Sequence, residues 1–123
     1  MKENVIVAKS YAFAIRVVKL YEYLKKEKQE FVLAKQVLRS GTSIGANIEE
    51  AVAGQSTADF VHKLSIARKE ARETSYWLRL LHDTGYISNP QFESIYAAFK
   101  EIVKILNSII ITSKAKLEDK SNS

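Results

Sequence analysis

A chain of 123 residues has the length of one domain, and at that size a single core buries roughly two-thirds of the surface that the unfolded chain exposes. Four Gly and one Pro are few punctuators, and the absence of Cys excludes disulfides, thiolate metal sites and thiol nucleophiles. Nineteen basic against fourteen acidic side chains leave a net charge of +5 and a pI near 9.4, a mild tilt that permits a polyanionic partner without requiring one. Lys9 and Arg16 interrupt the apolar N-terminus before it reaches signal-peptide length. The uncharged run from Ile105 to Ser113 is far short of the ~20 residues of a membrane span. Composition therefore predicts an all-α, cytoplasmic chain with no membrane contact.

The first helix is expected from about Asn4 to Lys28. On a 3.6-residue wheel Phe13, Val17, Leu20 and Leu24 form one stripe, and Tyr11, Ile15 and Val18 form another well to its side. An apolar arc of ~100° suffices for a surface helix. The surplus predicts that this helix also packs against another protomer, which makes the protein a homo-oligomer. The second helix, about Val32 to Ala53, presents Leu33, Val37, Gly41, Ile44, Ile48 and Val52 as an inward face. Gly41 and Gly45 inside it each cost about 1 kcal/mol against Ala, which leaves two readings open: a close approach by another helix, or a local bend.

Gly54 ends that helix, and Ser56 with Asp59 three residues later resembles a capping box. The third helix follows to about Thr84 as the longest of the four. Its core stripe is Phe60, Leu64, Ala67, Ala71 and Leu78, and Ile66, Trp77 and Leu81 lie roughly 100° away. Gly85 is a natural stop, and Asn89 before Pro90 reads as a cap followed by proline at the first helical position. In the fourth helix Phe92, Tyr96, Phe99, Val103, Leu106 and Ile110 face inward, with Ile95, Ile102 and Ile109 alongside. This helix is expected to end near Lys114. One domain thus spans residues 1–116, and residues 117–123 form a polar, frayed tail. Short connections between four helices imply an antiparallel up-down-up-down four-helix bundle.

Catalytic chemistry finds little support. A di-metal carboxylate site in a bundle needs two Glu-x-x-His motifs and two further Glu. Only two His exist; Asp59 ahead of His62 reads as a cap, and Arg79, not an acid, precedes His82 by three. Ser40, Thr42 and Ser43 have no nearby base, so their hydroxyls are expected on backbone or on a neighbouring helix. No catalytic residue, metal ligand or cofactor is assigned. Two polar faces are more informative. Gln36, Ser43, Asn47 and Glu50, flanked by Arg39, form either a solvated stripe or a seam to another helix, with Glu50 pairing an Arg of the third helix. Arg68, Arg72 and Arg79, with Lys69 and Tyr76 at the edge, form a ridge that tracks phosphates, pairs with Glu50, Glu70 and Glu73, or is simply solvated.

Several of these segments together resemble one family. They are Lys9-Ser10-Tyr11-Ala12-Phe13, the run from Gln36 to Ala51 that contains Arg39-Ser40-Gly41-Thr42-Ser43, Asp59 to Leu64, and Ala67 to Leu78. Over nearly its whole length the chain is similar to the four-helix-bundle proteins encoded in intervening sequences of bacterial 23S rRNA genes. That resemblance implies a ring-shaped homopentamer without known catalytic activity. A related branch, the accessory variability determinant of diversity-generating retroelements, is a basic pentameric barrel that binds nucleic acid and a partner reverse transcriptase. The expected oligomer interface draws on Tyr11, Ile15, Arg39, Ser43, Asn47, Glu50, Ile66 and Trp77. The expected RNA or DNA surface is Arg68, Lys69, Arg72, Tyr76 and Arg79. The alternative is an adaptor that binds another protein and is indifferent to nucleic acid.

Overall fold

A computed structural model describes residues 2–122, with the side chains of residues 4–120. Met1 and Ser123, the ends of the expected domain and tail, lie outside the described residues. The four helices are α1 (Lys2–Lys28), α2 (Val32–Val52), α3 (Thr57–Asp83) and α4 (Asn89–Asn122), with no strand among the described residues. Each helix packs on its neighbours in the chain, and α4 closes the arrangement on α1; the diagonal pairs do not approach each other.

The buried positions of the central seam step alternately by three and four residues, while Ser40, Gly45, Val61 and Ile110 are buried outside that register. In α1 they are Ile6, Ser10, Phe13, Val17 and Leu24, with Leu20 half-buried in the sequence gap. In α2 they are Ala34, Val37, Gly41, Ile44, Ile48 and Ala51. In α3 they are Leu64, Ala67, Ala71, Thr74, Leu78 and Leu81, and in α4 Ile95, Phe99, Ile102, Leu106, Ile109 and Ser113. A mean step of 3.5 is the heptad seam of helices that coil around one another. The 3.6-residue wheel drifts from that seam by ~20° per heptad, which explains where the expected faces miss. Val52 is 45% exposed and Ala51 takes its place in the core. Leu81 belongs to the core seam of α3 and is fully buried, so only Ile66 and Trp77 of the second stripe stay half-exposed.

Helix α2 runs unbroken through Gly41 and Gly45, both buried. A Cβ at Gly41 would stand 2.8 Å from Cγ2 of Val17, and one at Gly45 would stand 3.2 Å from the Ser10 carbonyl oxygen. The close-approach reading therefore holds, and α1 is the helix that approaches. Across the α2–α3 contact the Thr74 hydroxyl lies 3.0 Å from Ser40 Oγ and 2.8 Å from the Glu70 carbonyl. The Thr74 hydroxyl shares its proton between the two acceptors, which ties the buried Ser40 to α3.

Side chains and turns set the junctions. Gln29 adopts φ 52°, and the Glu30 N–H reaches back to the Leu24 carbonyl at 3.0 Å, closing α1 with a left-handed residue. The Glu30 carboxylate then accepts from the N–H groups of Leu33 and Ala34 at the start of α2. Ser56 Oγ accepts from the Asp59 N–H at 3.1 Å and caps α3 as expected. The cap of α4 is Ser88, not Asn89: Ser88 Oγ accepts from Gln91 N–H at 3.3 Å while the Ser88 N–H donates to Gln91 Oε1 at 2.7 Å, a reciprocal box. Asn89 is thereby freed to bond His82. With 34 residues against 27 in α3, α4 is the longest helix. It continues well past Lys114, because Lys, Ala, Leu and Glu dominate the segment after it and no Gly or Pro breaks it.

Candidate nucleic-acid interface

Glu50 of α2 and Glu70 and Glu73 of α3 are committed to partners other than the arginine ridge. Arg39 pairs with Glu73 and, at 3.4 Å, with Glu70, and it also donates to Gln36 Oε1 at 3.4 Å. Hydrogen bonding from Arg39 holds the Glu73 carboxyl below its usual range; desolvation opposes this, and the Trp77 indole adds a smaller downward pull. That indole nitrogen is nonetheless buried without a partner at normal hydrogen-bond geometry. Glu50 pairs with Lys63 at 3.4 Å, not with an arginine of α3 as anticipated. Ser43 Oγ donates to the Arg39 carbonyl at 2.6 Å, and Asn47 Nδ2 to the Ser43 carbonyl at 2.8 Å. The polar face of α2 is thus part seam, through Arg39 and Glu50, and part self-satisfied helix.

With Glu50, Glu70 and Glu73 engaged elsewhere, no carboxylate among the described residues forms an ion pair with Arg68, Arg72 or Arg79. Arg68 and Arg72, one turn apart, line a groove of about 500 Å³ between α3 and α4 with Ser75, Phe99, Val103, Asn107 and Ile111. Arg79 Nε donates to Ser75 Oγ at 3.4 Å, and that hydroxyl lies 2.8 Å from the Tyr96 hydroxyl. Lys69 and Tyr76 are exposed outside this lining; Tyr76 is 52% exposed and stands edge-on to Trp77 with ring centroids 5.0 Å apart. The α4 wall was missed in the sequence because its apolar spacing reads as core; the signal was Asn107, a polar residue four positions after Val103. Lys100 and Lys104, next in sequence to the lining residues Phe99 and Val103, are exposed.

On the far side of α1, Tyr11 is 60% exposed and Ile15 and Val18 are each 44% exposed. At the α3–α4 turn His82 bonds Asp83 through Nδ1 at 2.9 Å and Asn89 through Nε2, and its ring stacks on Phe92 at 4.5 Å. The bonds to Asn89 and then Asp83 raise its pKa above 6.5. No group of three or more His, Asp or Glu among the described residues is placed to hold a metal ion, and no described helix is long and apolar enough to cross a membrane.

Four helices around one heptad-patterned core, with an unpaired basic groove on one side, define a helical-bundle protein. The model of the 23S rRNA-intervening sequence protein family matches residues 2–108, and the chain belongs to that family. It is similar to a crystallised protein of unknown function from the S23 ribosomal protein family of Bacteroides thetaiotaomicron. The two are 59% identical over 89% of this chain and 98% of that one, with a TM-score of 0.88. Among curated proteins none matches.

Proposed function

We propose that the protein is a cytoplasmic, non-catalytic homo-oligomer that binds RNA or DNA along the α3–α4 side of an up-down-up-down four-helix bundle. The observation that carries this reading is the state of Arg68 and Arg72: they line a groove one turn apart, and the acids that could neutralise them pair with Arg39 and Lys63. Unpaired guanidinium groups on a common face suit phosphate oxygens. The antiparallel order is supported by cross-helix partners. Lys9 meets Glu101 and Arg16 meets Ser94, so numbers climb α1 as they fall along α4. Glu50 with Lys63 and Arg39 with Glu73, then Ser75 with Tyr96 and His82 with Asn89, give the same sense for the next two pairs.

The oligomer rests on the exposed stripe of Tyr11, Ile15 and Val18 on α1. Its complement on the next protomer is the α2–α3 face where Ile66 and Trp77 stay half-exposed. Unlike faces join head to tail, and head-to-tail contacts close into rings such as a pentamer. The functional test is fluorescence anisotropy with a structured rRNA fragment at low salt. Binding that weakens as salt rises, and that Arg72→Glu reduces with helicity intact, supports the proposal. No binding at any salt concentration rejects it.

A further inference from the structure

The floor of the Arg68–Arg72 groove is apolar, which a surface that met phosphates alone would not need. Its α4 wall is one ridge: Phe99, Val103, Asn107 and Ile111 follow at steps of four, a rise of about 18 Å along the helix. Phe99 is buried and Val103 half-buried, and Ile111 at the end of the ridge is 68% exposed. On the α3 side the lining residue Ala71 is buried and offers a single methyl. That side chain is too short to close the gap, and a volume of about 500 Å³ stays open.

Two polar features of different kinds border this hydrocarbon. Arg68 and Arg72 have no hydrogen bond or ion pair among the described residues. They stand about 6 Å apart along the axis of α3, close to the separation of neighbouring phosphates on one strand. Asn107 is half-buried within the ridge, and its amide bonds no described residue, unlike that of Asn47, which donates to the Ser43 carbonyl one turn back. A primary amide sets a donor beside an acceptor. That pattern matches the edge of a base, whereas phosphate oxygens only accept.

We infer that the groove takes an unpaired segment of RNA or DNA with its bases inward, an inference that rests on nucleic-acid binding along the α3–α4 side. Phosphates of one strand pair with Arg68 and Arg72, a base lies against Val103 and Ile111, and the Asn107 amide bonds the edge of that base. Apolar contact with a base face tolerates any base, and guanidinium planes stack on bases as well as pairing with phosphate. A duplex cannot use the floor. Packed helices stand about 8–10 Å apart, a gap narrower than the duplex, whose bases are already paired and stacked.

The test is fluorescence anisotropy of the whole protein with three RNAs of equal length: a single strand that does not fold, the same strand paired with its complement, and its sugar–phosphate backbone without bases. The single strand should bind roughly tenfold tighter than either of the others, although the duplex carries the denser charge. Ile111→Ser and Asn107→Leu should each weaken the single strand roughly threefold to tenfold and leave the duplex unchanged. The slope of log Kd against log salt should stay as it was, because neither residue meets a phosphate. Ile111 is 68% exposed, so its variant keeps the fold, and an undiminished thermal midpoint verifies this for both. Equal affinity for strand and duplex, or for the strand with and without bases, overturns the inference while leaving a phosphate-binding surface in place. Binding to none of the three removes that surface as well. Polyglutamate that displaces the single strand at equal charge concentration also overturns the inference, since acidity alone then suffices.

Discussion

Gly41 of α2 lies directly beneath Val17 of α1, so close that a Cβ added at Gly41 would fall 2.8 Å from one Val17 methyl and 2.9 Å from the other. Both residues are fully buried, and Val17 is a branched side chain with little freedom to turn away. Gly41→Ala should therefore destabilise the protein by about 1–2 kcal/mol: overpacking costs about 1–3 kcal/mol and the better helix propensity of Ala returns up to about 1 kcal/mol. Urea unfolding at fixed protein concentration measures it. Adding Val17→Ala should recover part of the loss, so the double variant is less damaged than the two single costs combined. Equal or additive losses would mean that the helices separate freely and that the glycine is incidental.

His82 joins the end of α3 to the start of α4 through Asn89, with Asp83 beside it and Phe92 stacked on its ring. Its folded pKa is raised above 6.5, first by Asn89 and then by Asp83. The protonated ring is favoured by the fold, so the stabilisation it brings is complete below 6.5 and is lost as pH rises through the raised value. The thermal midpoint should fall slightly from weakly acidic to weakly alkaline pH, and His82→Gln should flatten that slope. A slope unchanged by the substitution would assign the pH dependence to another group.

Glu73 behaves with the opposite sign. Arg39 holds its carboxyl below the ordinary 4.5, so the pair stabilises the fold above that value and the benefit disappears as pH falls through the lowered one. The side chains are 50% and 36% exposed, and solvent and salt screen them. Arg39→Met should cost under about 1 kcal/mol at neutral pH. The loss should shrink in high salt and vanish in acid, where Glu73 is protonated in both proteins. Thermal scans at several pH values and two salt concentrations test this, and a loss insensitive to both would point to packing of the Arg39 stem.

What the sequence made legible follows from period and punctuation. Helix positions were readable because Gly54, Ser56 and Gly85 sit between long runs of apolar periodicity, and Ser56 does cap α3. The seams were read with a small systematic error, since coiling helices keep a 3.5-residue repeat while a straight wheel keeps 3.6. Val52 and Leu81 were misplaced for that reason. Ser88 was overlooked as a cap because Asn89-Pro90 is the louder local signal, although Gln91 three residues on completes the box. The arginines were visible, but their freedom was not. That depended on Arg39 and Lys63 drawing the acids to the other side of α3, a choice made in tertiary structure. The end of α4 was placed too early, near Lys114, because a polar C-terminal segment reads as fraying, whereas the helix runs to Asn122.

The outer stripe of α1 gives the prediction on which the assembly rests. Within one protomer Tyr11 and Ile15 do little for stability, being 60% and 44% exposed, so Ile15→Asp should leave the helical circular-dichroism spectrum intact. If the stripe packs against a neighbouring subunit, the same change buries an unpaired carboxylate in an apolar contact, a cost of several kcal/mol per interface. Several kcal/mol at every interface weakens each contact by roughly a hundredfold or more, and the assembly should fall apart at micromolar concentration. Light scattering should then report a mass several times 13.9 kDa for the unaltered protein and about that of one chain for the variant. Lys19→Asp, an exposed position beside the stripe, serves as the charge control and should stay assembled. A monomeric unaltered protein, or an Ile15→Asp variant that keeps its mass, would place the oligomer elsewhere or nowhere, and the exposed apolar side chains of α1 would need a different occupant.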